Sequence, residues 1–421
     1  MDAFIKSLKE NEIVFIEEEV EPIYEVTRIL SENDEKSLTV FFKKIKNIAL
    51  EAVGNVVNSR EKLRRALNAK SDEEAYIKII ESMSNPLKHK EVSFNLKEYN
   101  KTVLTLPAVK FFEKDGGRYF TSSIVVACIN GTCNASVHRI MILDEKRLVI
   151  RIVPRHLHYI YTENLREGRE TPVAIIIGVH PAVLFASALS PPLGIFELDV
   201  AGRLLGRPLR LARTPIHEIP VPESSSIVIE GRITRELADE GPFVDLTKTY
   251  DRVRKQPIIR IDKIYISDSA LAHIILPGGR EHQLLMGYPR EASVWDTVRR
   301  VVPKVHKVRL TPGGGGWLHA IISIDKNVDG DAKNAILAAF AGHPSLKHVI
   351  IVDSDIDPDN LVDVEWAIAT RFQGSRDLIV IENARGSTLD PSSADGLTTK
   401  IGIDATAPLA EREKYQKAKI P

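Results

Sequence analysis

Glu240 and Asp245 stand five residues apart, with Asp239 beside the first, in the run Asp239-Glu240-Gly241-Pro242-Phe243-Val244-Asp245. Carboxyls at such a spacing can divide a proton transfer between a donor and a group that orients it. Pro242 fixes its own φ and biases Gly241 toward an extended shape, so the run reads as a rigid loop outside any helix interior or central strand. Read alone, it is equally an acidic surface turn. Three other clusters invite chemistry and do not support it. The Gly313-Gly314-Gly315-Gly316 run lacks both the Gly-Lys-Ser/Thr ending of a phosphate loop and dinucleotide spacing, and reads as a flexible connection. Asp353, Asp355 and Asp357 lack ligands at calcium-loop spacing and read as a strand-end turn. Cys128 and Cys133 have no further cysteines to complete a metal set; a reduced pair is expected, with a hairpin disulfide as the alternative.

The elements that must position these acids fall into three stretches. A chain of 421 residues exceeds one ordinary core. Residues 1–105 read as a small mixed α/β domain, with Ser59 and Ser71 in helix-cap positions. Residues 85–100 read as a linker. From 106 to 300 short β-branched runs recur between turn signals, around 124–127, 148–153, 173–177 and 227–229, with one helix-length insert at 159–166. That pattern predicts a closed or split β-barrel, whose mouth would admit a cofactor. Residues 279–290 read as a charged loop before a helix at 291–300. Residues 301–421 return to α/β alternation.

Lys+Arg and Asp+Glu are equal at 57 each, which gives no overall pull toward nucleic acid or membrane. The N-terminus lacks a signal-peptide pattern and no apolar run reaches membrane-spanning length, so a cytoplasmic protein is expected. Scarce Gln, Cys and Met beside plentiful Ile, Val, Glu, Lys and Arg resemble a thermophile's composition.

The order of short motifs carries more than any one of them. Gly54-Asn55, Arg60-Glu61, Asn134-Ala135-Ser136-Val137-His138-Arg139, Arg155-His156-Leu157-His158, the block from Thr171 to Ser187, Gly194-Ile195-Phe196-Glu197, Ile227-Val228-Ile229-Glu230-Gly231, the acidic run and 399–406 follow one another unbroken. Together they resemble the UbiD family of prenylated-flavin decarboxylases. The resemblance implies a split β-barrel flavin domain between a mixed N-terminal and an α/β C-terminal oligomerisation domain. It implies prenylated FMN as cofactor, with Mn2+ or Mg2+ bridging to its phosphate and K+ as a further cation. The metal ligands it implies are Asn134, His156 and Glu197, donors that suit such an ion; spacings of 22 and 41 residues would not have found them. The catalytic set it implies is Arg139, Glu240 and Asp245: Glu240 as proton donor, its proton retained through an apolar pocket and neighbouring acids, and Asp245 orienting Arg139. Cofactor contacts are expected from Ser136, Val137, Arg155, Ala186, Ser187 and Lys400. Asp245 departs from the commoner Glu, a shorter reach that moves the loop inward or weakens its hold on Arg139. His138 and Ser190 also depart from the usual pattern.

The compact chain and its composition most resemble archaeal family members that convert trans-anhydromevalonate 5-phosphate to isopentenyl phosphate. Extra positive charge for a substrate phosphate is then expected from His138, Arg280, His282 and Arg290. The alternatives are decarboxylation of 4-hydroxybenzoate or another quinone-precursor acid, and, from another class, a flavin-binding protein without turnover. The resemblance also implies a flavin prenyltransferase as cofactor supplier, no nucleic-acid or membrane partner, and a homodimer or homohexamer.

Overall fold

The β-branched runs in the middle of the chain do form strands, and those strands close on one another. The computed structural model describes residues 1–394 and 396–418, and the chain divides into two compact units, Met1–Asp245 with Tyr250–Leu285, and Leu246–Thr249 with Met286 onward. In the first unit, β1 (Ile13–Val20), β2 (Thr39–Ile45) and β3 (Glu51–Gly54) alternate with α1 (Glu25–Asp34), α2 (Arg60–Ala66) and α3 (Asp72–Ser84). Ser59 and Ser71 cap α2 and α3 by accepting from Lys62 N and Glu74 N, as their positions predict.

The barrel strands follow: β4 (Tyr119–Ile129), β5 (Thr132–Ile142), β6 (Arg147–Ile150), β7 (Thr171–Ile177) and β8 (Ile227–Glu240). After a short ribbon of β9 (Phe243–Val244) and β10 (Tyr250–Asp251) comes the last, β11 (Arg254–Ile266). The hydrogen-bonded order is β8-β7-β4-β5-β6-β11, and β11 pairs back onto β8, so the barrel is closed with six strands. Closure removes every free edge among these strands. Finally β12 (Leu271–Ile274) returns to pair with β3 in the N-terminal sheet. One apolar cluster runs from Val26, Leu30 and Phe42 into Val125, Leu148, Ile175, Ile229 and Ile259 of the barrel. All eight are fully buried, each worth roughly 1.5–3 kcal/mol.

The barrel also carries α4 (His156–Arg166), α5 (Pro181–Ala188) and α6 (Glu197–Leu205). The last two were absent from the sequence reading. In α5 every residue from Pro181 to Ser187 is buried, so no polar face marks a helical period.

Other expectations are corrected. Residues 85–100 are stitched in: strand Lys90–Val92 pairs with Arg210–Arg213, and Lys97–Glu98 pairs with β11. Backbone pairing of exposed, charged segments leaves no apolar pattern to read. Residues 280–298 form one helix, α7, that keeps Pro289 inside it. Buried Leu285, Tyr288, Val294 and Trp295 anchor its length, and packing overrides the proline's breaking signal. Cys128 and Cys133 are disulfide-bonded, because they stand directly opposite each other across the β4–β5 hairpin.

The second unit is a five-stranded sheet of β13 (Lys304–Leu310), β14 (His319–Asp325), β15 (His348–Asp353), β16 (Leu378–Arg385) and β17 (Leu397–Ala405), in the order β13-β14-β15-β17-β16. Helices α8 (Asp331–Gly342) and α9 (Leu361–Arg371) accompany it, with Ile321, Ile350, Val352 and Val364 in its core. The four-glycine run is a tight turn and not a flexible connection. Gly315 and Gly316 take φ of 69° and 62°, and a Cβ on Gly315 would meet the Leu246 carbonyl at 2.8 Å. Among the described residues no helix is long and apolar enough to cross a membrane.

Candidate active site

Two clusters of functional side chains share strand β5. Alternation along it puts Asn134, Ser136 and His138 on one face, and the three are hydrogen-bonded in a row. Glu197 is the first residue of α6, where the helix dipole favours an anion. Its Oε2 accepts from Ala135 N at 2.8 Å and its Oε1 lies 2.7 Å from the Asn134 amide. His156 opens α4, with Nδ1 3.7 Å from the same Oε1. Burial pushes Glu197 up to about 7, against the hydrogen bonds from Ala135 and Asn134. Burial, then Arg155, pushes His156 down, so its imidazole is available in neutral form.

A proton count tests whether these donors fit a cation. Burial pushes His138 down to about 4, so it is neutral. Its Nδ1 faces the Arg151 carbonyl at 2.9 Å and must donate there, which leaves Nε2 to accept the Ser136 hydroxyl at 2.8 Å. Ser136 then has no proton for Asn134, 2.9 Å away, so the amide turns its NH2 to Ser136 and its oxygen to Glu197. Placed the other way, Asn134 donates to Glu197 Oε1, but Ser136 would need two protons. Two oxygens in such contact need a shared proton or a cation. The amide, imidazole and carboxylate therefore fit Mn2+ or Mg2+. Among the described residues no group of three His, Cys, Asp or Glu is placed to hold a metal, and this set depends on its asparagine.

The second cluster surrounds Arg139. The acidic run is not simply a loop: Asp239 and Glu240 end strand β8, and the bend begins at Gly241, whose φ is +95° before a cis Gly241–Pro242 bond. Only glycine takes that φ freely. Strand alternation turns Asp239 outward, where it is 62% exposed beside Lys255, and turns Glu240 fully inward. The neighbouring acid thus adds no buried charge, and Arg139 is what Glu240 meets. Arg139 Nε and Nη2 grip its Oε1 and Oε2 at 2.8 and 2.9 Å. Asp245 Oδ2 takes Nη1 at 3.2 Å, longer than either Glu240 contact, in keeping with its short side chain. Tyr119 donates to Glu240 Oε1 at 3.3 Å and accepts from Gly241 N at 3.1 Å. Phe243 lies 4.8 Å from the guanidinium carbon. Burial alone would lower Arg139's proton affinity, but Glu240, Asp245 and Asp251 together raise it above its ordinary range.

Sequence reasoning missed Tyr119, Asp251 and Arg254. Asp251 Oδ2 accepts from Arg139 Nη2 at 2.9 Å, and its Oδ1 accepts from Arg254 Nη1 at 2.5 Å. A short acidic ribbon has no motif that announces this. Of the residues expected to bring extra positive charge, His138 is neutral. Burial likewise holds His282 down, its Nδ1 accepting from Gly278 N. Arg280 donates to the Glu35 carbonyl at the surface, and Arg290 belongs to the second unit, over Trp317. Arg155 donates to Ser190 Oγ at 2.6 Å. The Ser187 hydroxyl donates to Val183 O within α5, beside fully buried Ala186, and Val137 is half-buried. Lys400 lies in the second unit, its ammonium donating to the carbonyls of Pro344 and Leu346. Asn134 and Arg139 are five residues apart on β5, about 16 Å of strand.

Three family models of 3-octaprenyl-4-hydroxybenzoate carboxy-lyase match in succession: the N-terminal domain over residues 6–83, the Rift-related domain over 83–280 and the C-terminal domain over 283–405. The chain is 49% identical over 399 residues to anhydromevalonate phosphate decarboxylase of Aeropyrum pernix, covering 94% of this chain and 91% of the relative. It is 44% identical to that of Methanocaldococcus jannaschii, covering 94% of each. Among solved structures it is similar to the UbiD-class enzyme HmfF from Pelotomaculum thermopropionicum in complex with FMN. The TM-score is 0.95 at 36% identity, over 100% of this chain and 96% of that one. An evolved dimeric form of HmfF in complex with prFMN gives 0.90 at 33%, with the same coverage.

Proposed function

Because this chain belongs to the UbiD family and is a carboxy-lyase that releases CO2, we propose that it decarboxylates trans-anhydromevalonate 5-phosphate to isopentenyl phosphate, reversibly and without net oxidation. The observation that carries the substrate is the likeness, over nearly the whole chain, to enzymes of that name. The cofactor in this reading is prenylated FMN with Mn2+ or Mg2+, and K+ as an accessory cation. Asn134, His156 and Glu197 would hold the divalent ion, which neutralises phosphate charge that is costly to bury. Ser136, Val137, Arg155, Ala186 and Ser187 flank the cofactor in this reading, and Lys400 serves the phosphate or loop closure. The chain works in the cytoplasm as a homodimer or homohexamer, supplied by a flavin prenyltransferase.

When bound, the prenylated flavin supplies an acceptor for the electron pair that departing CO2 leaves behind. Glu240 delivers a proton to the carbon that CO2 vacates, and takes it back in the reverse direction. Its placement against Tyr119 and Phe243, with no exposed surface, keeps water from that proton. Arg139 spends four N–H donors on Glu240, Asp245 and Asp251, which leaves one of its five for a substrate carboxylate. A non-catalytic flavin binder would have no use for this network.

The test is side-by-side turnover by protein co-expressed with a flavin prenyltransferase. Release of isopentenyl phosphate from anhydromevalonate phosphate, with no phenol from 4-hydroxybenzoate, is expected. The reverse selectivity would replace the proposed substrate, and preparations that take up only a nicotinamide cofactor would sink the cofactor reading.

A further inference from the structure

Three carboxylates converge on the one guanidinium of Arg139, and they are held differently. Glu240 is gripped on both oxygens, and Asp245 makes one long contact from a partly exposed position. Asp251 is shared: Arg139 takes one oxygen at 2.9 Å and Arg254 the other at 2.5 Å. Its backbone is fixed too, because Asp251 pairs directly with Phe243 in the β9–β10 ribbon, the segment that carries the Glu240–Asp245 bend. Arg254, three residues on, opens barrel strand β11. Asp251 therefore joins Arg139 to a rigid part of the barrel, whereas Glu240 and Asp245 flank the Gly-Pro kink.

We propose that Asp251, with Arg254 behind it, is a positioning residue: the standing counter-ion that keeps Arg139 in place while Glu240 gains and loses its proton. The inference rests on the reading of Glu240 as proton carrier. When Glu240 is neutral, its two contacts to Arg139 lose their charge assistance and about half their strength. Asp245 alone offers the long stem of Arg139 a single partner at 3.2 Å. Asp251 does not change charge with Glu240. Burial would raise its pKa, but Arg254 and Arg139 more than reverse this and hold it below the usual carboxylate range. The other groups facing this cluster are Tyr119 from β4, Arg151 after β6, and His282 from α7. Arg151 feels Arg254, Arg139, Asp251 and Glu240, and His282 feels Asp245 and Arg139. Neither makes a hydrogen bond to Asp251, so neither substitutes for it.

The experiment measures kcat, KM, flavin content and metal content for holoenzyme carrying Asp251→Asn, Asp251→Glu, Arg254→Met, and Asp251→Asn with Arg254→Met. The assay uses whichever of the two acids the wild type turns over. A displaced arginine is expected to lower kcat about 100-fold in Asp251→Asn, with KM within about twofold and cofactor content unchanged. Asp251→Glu is expected to recover most of the loss, and the double variant to be no slower than Asp251→Asn, since Arg254 acts through Asp251. A kcat for Asp251→Asn within about threefold of wild type overturns the inference, as does a loss that Asp251→Glu fails to recover or that follows flavin content. If Asp251→Asn does not accumulate folded, Arg254→Met decides. A kcat loss of about tenfold at full flavin content supports the role, and wild-type kcat overturns it. Failure of the parent reading looks different: Glu240→Gln would itself turn over.

Discussion

Replacing Arg139 by Lys keeps the charge and removes the geometry. Arg139 makes four carboxylate contacts, two to Glu240 at 2.8 and 2.9 Å, one to Asp245 at 3.2 Å and one to Asp251 at 2.9 Å. A lysine ammonium offers three donors from a single nitrogen and cannot span both oxygens of Glu240 while reaching the two aspartates. At least two charge-assisted contacts are lost, at about 1.5 kcal/mol or more each, hence about 3 kcal/mol. Glu240 has no exposed surface from which water could compensate. If the network's shape holds the reacting groups, that loss appears in the barrier, and 3 kcal/mol is about 100-fold in kcat. The assay is steady-state CO2 release by Arg139→Lys holoenzyme with flavin content matched to wild type, alongside the urea midpoint. A kcat within about threefold of wild type with an unchanged midpoint would refute the reasoning, because it would show that charge alone suffices.

Glu197→Gln removes the one anion of the Asn134–His156–Glu197 set, so co-expressed protein should carry little Mn2+ and less flavin; full Mn2+ occupancy by metal analysis would contradict the assignment. Lys62 is buried and donates to Ser37 O, Thr39 Oγ1 and Asn58 Oδ1, yet burial pushes it down to about 8 from 10.5. Between those values the unfolded chain holds a proton that the folded chain has released. Stability should therefore rise from pH 8 to 10.5 by at most about 3 kcal/mol, and Lys62→Met should flatten that rise in urea titrations. The native protein should show no reactive thiols until reduced, and reduction of Cys128–Cys133, which closes a six-residue loop, should cost at most about 2 kcal/mol; two thiols titrating without reductant would contradict the pairing.

What the sequence made legible follows from which signals are local. Strands such as those containing Val125, Ile175 and Ile229 announce themselves by β-branched runs, and Ser59 and Ser71 by cap spacing. Asn134, His156 and Glu197 were found only through the order of motifs, because they meet through a strand and two helix starts far apart in sequence. Asp239 misled because period-two alternation, not proximity along the chain, decides which acid faces inward. Asp251 and Arg254 were invisible because their partner Arg139 is more than a hundred residues away, and a two-residue strand carries no pattern. Helix α5 was missed because its burial on all sides erased its periodicity.

The most direct test of the central claim is CO2 release by Glu240→Gln protein loaded with prenylated FMN and Mn2+ by co-expression, against wild type prepared identically. Glutamine keeps the shape of Glu240 but has no carboxyl proton to give. The account predicts full flavin and metal content with CO2 release lowered at least about 100-fold. Turnover near wild type at matched flavin content would contradict it.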